Sequence, residues 1–406
     1  MEQNDFQVYR YRWVVLFVFM LVVAINQLMW ITFAPITSTA TKYYGVSSLS
    51  IGLLSMIFMI VYIIVSIPAS WVIDTYGIRV AVGIGAVLTG VFGLLRGILA
   101  ANYTFVLIAQ IGIAIGQPFI LNAMTTVAAR WFPIKERATA AGLGSLAMYL
   151  GIVAALVLTP TLTLESQISG MLLIYGIVSV ITAVVFFVFV KELPPTPPCR
   201  ADQEERSLVY DGIKESLKMK DFILLLVIFF VGLGVFNAVT TWIEDIVRPR
   251  GFSILEAGNI GGLMIMGGIC GAVLIPMLSD HFRKRKPYLV IAVIGATLGL
   301  AGVTFATSYW LLLLSAFVFG FFLLSAGPVG FQYGAEITYP TPEGTSNGLL
   351  LLMGQISGIV FIIGMDSMKS PLTGSMTLPL VLLIGLLFLS LVFALMLKEA
   401  KTILTD

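Results

Sequence analysis

Charged residues are scarce in this sequence. Asp, Glu, Lys and Arg make up 11% of its 406 residues, and 59% of the residues are hydrophobic. Soluble domains contain about 25% charged residues and need polar side chains to cover their surface. The composition therefore excludes an ordinary soluble protein and predicts a protein whose surface faces lipid.

Histidine and cysteine are almost absent. His281 is the single histidine, and Cys199 and Cys270 are the two cysteines. These residues form no metal-ligand or disulfide pattern, and the sequence has no phosphate-binding loop or nucleophile elbow. The net charge of +2 and the lack of a basic block interleaved with aromatic residues argue against a nucleic-acid partner. We therefore expect no enzyme and no metal or cofactor.

Long apolar runs fill most of the chain. A helix needs about 20 mostly apolar residues to cross a bilayer. Twelve runs meet this requirement, near 13–35, 51–73, 80–100, 104–128, 138–160, 169–190, 221–243, 256–279, 288–307, 309–334, 346–365 and 373–397. The sequence predicts an all-α membrane protein with twelve transmembrane helices in two six-helix bundles.

One polar stretch separates the sixth and seventh runs. It holds four prolines within six residues and many charges, a composition typical of a linker. We expect an N-terminal bundle at 1–193, a cytoplasmic linker at 194–219 and a C-terminal bundle at 220–406.

Lysine and arginine are unevenly distributed. With a cytoplasmic N-terminus, 18 of the 23 fall in cytoplasmic segments, four fall in outer segments, and Arg96 lies inside a span. The positive-inside rule then predicts that both termini are cytoplasmic. We expect a monomer in the cell (inner) membrane, with the bilayer and a small-molecule substrate as its partners.

The two halves share landmarks. Asp74 closes the second run and Asp280 the eighth, 206 positions later, and Glu136 and Glu343 are 207 positions apart. The common offset indicates a duplication. Six plus six helices related by a parallel repeat resemble the architecture of the major facilitator superfamily.

Two loop motifs support this resemblance. SWVIDTYGIR at 70–79 keeps the aspartate, glycine and last arginine of a superfamily motif, and RWFPIKER at 130–137 is similar to the superfamily's loop between spans four and five. A carboxylate is favoured at the positive end of a helix dipole, so Asp74 and Asp280 are candidate latches that open as the halves rock; alternatively they only fix topology. The gating candidates are Asp74, Arg79, Arg130, Glu136, Arg137, Asp280 and Glu343.

A narrower resemblance rests on EITYP at 336–340, EGTS at 343–346, GLL at 348–350, QI at 355–356 and GI at 358–359, together with Asn26, Trp30, Trp71, Gln117 and FIL at 119–121. In these positions the chain is similar to the feline leukaemia virus subgroup C receptor-related branch. Members of that branch are described as carriers of choline and ethanolamine, and also of haem. The long tails of its animal members are missing here, so the chain resembles a prokaryotic relative.

Trp30 is the first candidate for substrate binding. It lies four residues after Asn26, so both share one face of the first helix. The face of an indole attracts cations. The alternative is that Trp30 anchors the helix at the membrane interface or only packs.

Two amides, Gln117 and Gln355, lie inside apolar runs and need polar partners there. They either tie helices together or bind substrate, since the resemblance implies that polar groups at these positions line the substrate site. Phe236 and Asn237 stand where the relatives carry an aromatic pair. The asparagine removes one aromatic wall, which favours an ammonium that donates hydrogen bonds, or a neutral polar solute, over choline.

No Asp, Glu, Lys or His lies in the middle of a run, which favours a facilitative carrier over a proton-coupled one. Arg96 lies near the outer end of the third run and is expected to snorkel to the surface. Haem is disfavoured because Met29 and Met353 are its only candidate ligands in a cavity. The alternative functions are a proton-coupled exporter of amphipathic compounds or haem, with a carboxylate at a helix end as the proton carrier, and a receptor without a transport cycle.

Overall fold

The computed structural model describes residues 8–196, 214, 216–339 and 343–399. Its helices in this part are α1 Arg12–Ile31, α2 Thr37–Tyr44, α3 Ser48–Tyr76, α4 Ile78–Ile98, α5 Tyr103–Leu121, α6 Met124–Trp131, α7 Ile134–Phe189, α8 Lys220–Thr241, α9 Ile243–Val247, α10 Ile254–Phe282, α11 Lys286–Phe305, α12 Tyr309–Thr338, α13 Glu343–Ser367 and α14 Thr377–Met396, with 3-10 turns at Ala34–Ile36 and Arg248–Arg250. The linker expected at 194–219 lies mostly outside the described residues.

Eleven helical segments of this described part are long and apolar enough to cross a membrane. The longest, Lys135–Phe189, has 55 residues, which extend over about 80 Å and exceed twice the ~30 Å hydrocarbon core. It contains a kink at Gln167, where φ is 62° and ψ is 175°. The segment therefore holds two spans, and the all-α class with twelve spans is confirmed.

The chain divides into two compact units. Unit 1 contains the described residues of Met1–Phe33, Ala40–Val46 and Leu53–Glu205. Unit 2 contains those of Ala34–Thr39, Ser47–Gly52 and Arg206–Asp406.

Two prolines of the first half lie close in sequence to candidate binding residues. Pro35 lies four residues after Ile31, and a proline ring clashes with the carbonyl four residues before it, so α1 ends at Ile31. Pro118 lies inside α5, which ends at Leu121. The neighbouring candidates are Trp30 for Pro35 and Gln117 for Pro118. A proline inside a helix removes one backbone hydrogen bond, and discontinuous helices form the substrate sites of many membrane transporters.

Gly77 joins α3 to α4 with a φ of 90°. This φ is rarely adopted by residues that carry a Cβ, and a Cβ at this position would collide with the carboxylate of Glu192. The glycine of the 70–79 motif is thus required by the geometry of the turn.

Candidate functional site

Trp30 is held inside unit 1. Its side chain is 7% exposed, and its Nε1–H donates to the Ser55 carbonyl in α3 at 3.2 Å. Asn26 is fully buried and donates from Nδ2 to Thr89 Oγ1 in α4 at 3.1 Å. One turn apart on α1, the two residues therefore bond to different helices.

Gln117 lies on α5 and is 6% exposed. The neighbouring Gly116 lets α5 approach α4 closely, since a Cβ there would be 2.9 Å from the carbonyl oxygen of Gly85. The Gln117 amide makes no hydrogen bond among the residues that the structure describes. The amide therefore stays a candidate for substrate binding.

In unit 2, Asn237 bonds to the residue that precedes Gln355. Its Nδ2–H donates to the Gly354 carbonyl at 3.1 Å, which joins α8 to α13. Gln355 follows directly, half-buried, and its amide has no hydrogen-bond partner within the described part of the chain. Phe236 is 8% exposed and Asn237 9%.

The sequence analysis did not single out Gln27. Its side chain is 2% exposed, and its Nε2 has no hydrogen-bond partner among the described residues. The sequence feature that could have identified Gln27 is its position next to Asn26, as a second amide within an apolar run.

Arg96 does not snorkel, so that expectation was wrong. The side chain is fully buried and donates from Nη1 to Gln110 Oε1 at 2.7 Å and to the Met29 carbonyl at 3.2 Å. Its Nη2 lies 2.7 Å from the Met29 sulfur. Met29 is itself fully buried, so its sulfur is not accessible as a ligand for haem iron. The guanidinium stays inside because the end of α1 offers it acceptors.

Two of the predicted gating residues, Glu136 and Arg130, form ion pairs inside unit 1. Arg12 pairs with Glu136 at 3.1 Å, and Arg130 pairs with Glu192. Glu192 also accepts from the backbone N–H groups of Ile78 at 3.0 Å and Arg79 at 2.6 Å, at the N-terminus of α4, where a helix dipole favours a carboxylate.

Asp74 and Arg137 are two further gating candidates of the first half. The Asp74 side chain is exposed, and Arg137 Nε donates to the Phe132 carbonyl at 3.3 Å. Neither arrangement decides a gating role, which stays a prediction.

Unit 2 repeats the arrangement around Glu192. Glu399 accepts from the backbone N–H groups of Arg285 at 2.6 Å and Lys286 at 3.2 Å, at the start of α11. Arg285 also pairs with Asp280 and, at 3.0 Å, with Glu336. The side chain of Glu343 lies outside the described part.

Glu192 and Glu399 are functional candidates that sequence reasoning missed. They are 207 positions apart, as are Ile78 and Arg285. The offset that paired Glu136 with Glu343 was therefore sufficient to find them.

A second charged cluster in unit 2 surrounds α9. Asp245 is fully buried and pairs with Lys369 and Arg248, each at 2.8 Å. Glu244 is 1% exposed and accepts from the Ser38 backbone N–H at 2.7 Å. Arg248 Nε lies 3.2 Å from Glu244 Oε1, an ion-pair distance without the geometry of a hydrogen bond.

Burial raises the pKa of Glu244, and the charge of Asp245 raises it further, although the hydrogen bond from Ser38 opposes the shift. A buried carboxyl with a raised pKa is a candidate for proton binding.

Comparison with known proteins identifies the architecture. The model of the Major Facilitator Superfamily matches residues 19–362. The D-xylose–proton symporter has a similar fold, with a TM-score of 0.75 and 17% sequence identity over 96% of this chain and 99% of that one. A bacterial homologue of the human lysosomal transporter Spinster gives a TM-score of 0.71 and 17% identity, with 96% of each chain covered.

Curated relatives cover most of the chain. It is 30% identical to the choline/ethanolamine transporter FLVCR1 of Felis catus, over 94% of this chain and 72% of that protein. It is also 30% identical to solute carrier family 49 member A3 of Xenopus tropicalis, over 92% and 81%. The choline/ethanolamine transporter FLVCR2 of Homo sapiens is 29% identical over 88% and 72%. These matches confirm the resemblance inferred from the motifs.

A match of this extent, on an all-α membrane fold with twelve spans, shows that the chain belongs to the major facilitator superfamily and is a membrane transporter, not an enzyme.

Proposed function

We propose that this transporter is a facilitative, alternating-access carrier of a small organic cation or polar amine of the choline and ethanolamine type. The proposed substrate-binding residues are Trp30, Asn26 and Gln117 in unit 1 and Phe236, Asn237 and Gln355 in unit 2.

The amides of Gln117 and Gln355 carry this proposal. Each lies in an apolar helix, and neither makes a hydrogen bond among the described residues. Other amides of unit 1, such as Asn122 and Gln110, are hydrogen-bonded several times. A polar group in an apolar helix is costly unless something binds it, and a polar solute supplies the missing partner.

Trp30 provides the attraction for a cation. An indole face contributes about 0.5–2 kcal/mol to binding of an ammonium. Its Nε1–H is occupied by Ser55, so the ring interacts with substrate through its face.

Asn237 favours an ammonium that carries hydrogens. Its Nδ2–H donates to the Gly354 carbonyl, which is the one hydrogen bond of this side chain among the described residues, so its amide oxygen has an open acceptor position. An acceptor of this kind binds the N–H groups of ethanolamine, which the quaternary nitrogen of choline lacks. We therefore expect primary amines to bind more tightly than choline.

The relatives support the substrate class, since two of them are named choline/ethanolamine transporters. We further propose that the protein is a monomer of the cell membrane with both termini in the cytoplasm, as the distribution of lysine and arginine indicates.

Ligand binding by the purified protein tests the proposal. A ligand that binds the native state raises its melting temperature, so ethanolamine and choline are expected to do so and haem is not. Trp30→Ala is expected to remove the shift and saturable uptake, while Trp310→Ala, at an exposed ring, is the matched control and keeps both. Normal ethanolamine uptake by Trp30→Ala would contradict the cation–π contribution.

Proton coupling remains the alternative mechanism because Glu244 is a buried carboxyl with a raised pKa. Proteoliposomes with an imposed pH gradient separate the two mechanisms. Uphill accumulation of ethanolamine that depends on the gradient and is lost in Glu244→Gln would establish coupling and overturn the facilitative mechanism.

A further inference from the structure

Arg96 presents a buried charge without a counter-charge. Its side chain is fully buried in unit 1, and the ion pairs of the described residues do not include it. Its Nη donors are nevertheless taken up by the Met29 carbonyl, Gln110 Oε1 and Thr32 Oγ1, and its ring partner is Phe33 at 5.8 Å. The buried Nε–H has no acceptor among the described residues, whereas both Nη atoms contact groups of the protein, and these contacts indicate what the side chain does.

Arg96 binds the end of α1. The last carbonyls of a helix lack backbone partners, and a cation there is favoured by the helix dipole. α1 ends at Ile31, and Met29 lies in its last turn. The Met29 carbonyl accepts from both Arg96, at 3.2 Å, and Gln110, at 3.1 Å.

Gln110 extends this contact to α3. Its Nε2 donates both to the Met29 carbonyl and, at 3.0 Å, to the Leu54 carbonyl. Its Oε1 accepts from Arg96, which fixes the orientation of the amide so that both N–H groups point at the two carbonyls. One side chain of α5 thus joins α1 to α3.

The bridge lies beside Trp30. Gln110 joins residue 29 to residue 54, and the indole of Trp30 joins residue 30 to Ser55. The two links are parallel and one residue apart. Gln110 therefore sets the distance between α1 and α3 at this level. The hydrogen bond from the Trp30 indole to Ser55 spans the same distance.

We propose that Gln110 and Arg96 are positioning residues for Trp30: Gln110 holds α1 against α3 at the level of the indole, and Arg96 orients the Gln110 amide. The consequence for substrate binding rests on the proposed function of Trp30. The effect on the ring itself does not.

Gln110→Glu is the main test. Glutamate keeps an oxygen for Arg96 but removes the two N–H donors to the carbonyls at nearly constant volume. Asn122→Asp is the matched control, because Asn122, directly after α5, also bonds to α3, through Ser66 at 3.2 Å, and its side-chain hydrogen bonds within the described part of the chain all go to α3. Arg96→Lys is a second variant that keeps the charge and loses the forked contact.

Fluorine NMR of protein labelled with 5-fluorotryptophan gives a readout that is independent of transport. The six tryptophans give separate signals, and Trp30→Phe assigns the one from Trp30. We expect this signal to shift or broaden in Gln110→Glu and, to a smaller extent, in Arg96→Lys, and to stay in place in Asn122→Asp. The Kd for ethanolamine is expected to rise about tenfold in Gln110→Glu, which corresponds to ~1.4 kcal/mol.

The outcomes separate the two proposals. An unchanged Trp30 signal in both Gln110→Glu and Arg96→Lys overturns the positioning role. An equal change in Asn122→Asp also overturns it, because general loosening of the bundle then explains the effect. A specific change of the signal in a protein that binds neither ethanolamine nor choline supports the positioning role and overturns the proposed substrate class.

Discussion

At the scale of single residues, hydrogen bonding separates amides that hold the helices together from amides that remain open. Asn122 accepts from Tyr62 at 2.7 Å and donates to Ser66 and Ser70, so it belongs to the packing of the bundle. Gln117 and Gln355 lack such bonds among the described residues. Both kinds of amide look alike in sequence, since each is a polar residue within an apolar run.

Gln117→Leu and Gln355→Leu are expected to raise the KM for ethanolamine uptake. A hydrogen bond to a charged group contributes about 1.5–3 kcal/mol, so each substitution is expected to raise KM by roughly 10- to 100-fold. Gln332→Leu, at an exposed amide that donates to Glu336, serves as the control. Unchanged kinetics in both leucine variants would show that these amides do not contact the substrate.

Glu244 makes a prediction about pH. Because burial raises its pKa in the folded protein, the native state favours the protonated form. The stabilisation is complete below the pKa of the unfolded chain and is lost as the pH rises through the higher pKa of the folded state.

The melting temperature of the purified protein is therefore expected to fall across this pH range, and to fall less in Glu244→Gln. Glu165→Gln, at an exposed carboxyl, is expected to follow the wild type. If Glu244→Gln shows the same pH profile as the wild type, folding does not raise the pKa of this carboxyl.

At the scale of helices and turns, backbone geometry explains why particular sequence positions are restricted. Pro35 follows the end of α1, Pro118 lies inside α5, and Gly77 forms a turn that residues with a Cβ rarely adopt. The proline positions are visible in the sequence. The carboxylate of Glu192 beside Gly77 follows the end of α7 at Phe189, so their proximity appears only in the folded chain.

Gly77→Ala is expected to destabilise unit 1. The unusual φ of 90° costs about 1–3 kcal/mol for a residue with a side chain, and the added methyl group displaces Glu192 from the start of α4. A lower melting temperature in detergent is the measured result.

Gly142→Ala is the control for this change. Gly142 lies in α7 and has open space around it, and alanine favours helix over glycine by about 1 kcal/mol. It is therefore expected to leave the melting temperature unchanged or to raise it. Equal effects of the two substitutions would contradict the explanation based on the turn.

At the scale of the whole molecule, the duplication organises the charges at the helix ends. Glu192 and Glu399 each accept two backbone N–H groups at the start of a helix. The repeat is nevertheless imperfect: Arg130 pairs with Glu192, whereas Arg285, from another position of the repeat, pairs with Glu336. The two units thus conserve the helix-capping carboxylate and differ in the arginine.

An even number of spans predicts that both termini lie on one side of the membrane. A green fluorescent protein fused to the C-terminus is expected to fluoresce in a bacterial host, and alkaline phosphatase fused there is expected to be inactive. Phosphatase inserted after residue 250 is expected to be active. Activity of the C-terminal phosphatase fusion would contradict the cytoplasmic location of the termini.

The sequence by itself determined the fold class, the twelve spans and the family. It determined them because a bilayer core requires long apolar helices whose backbone groups are satisfied internally, and because a duplication leaves a constant offset between motifs. Both signals are one-dimensional and survive without knowledge of the contacts.

Only the tertiary structure decided which polar groups inside the spans have partners. Arg96 lies near the end of a span, where sequence reasoning expects it to reach the surface, yet Gln110 and the broken end of α1 hold it inside. Inside the membrane, hydrogen bonds between side chains depend on which helices pack against each other. Residues 29, 54, 96 and 110 are far apart in the sequence and meet only through helix packing, so a local sequence pattern does not predict their contacts.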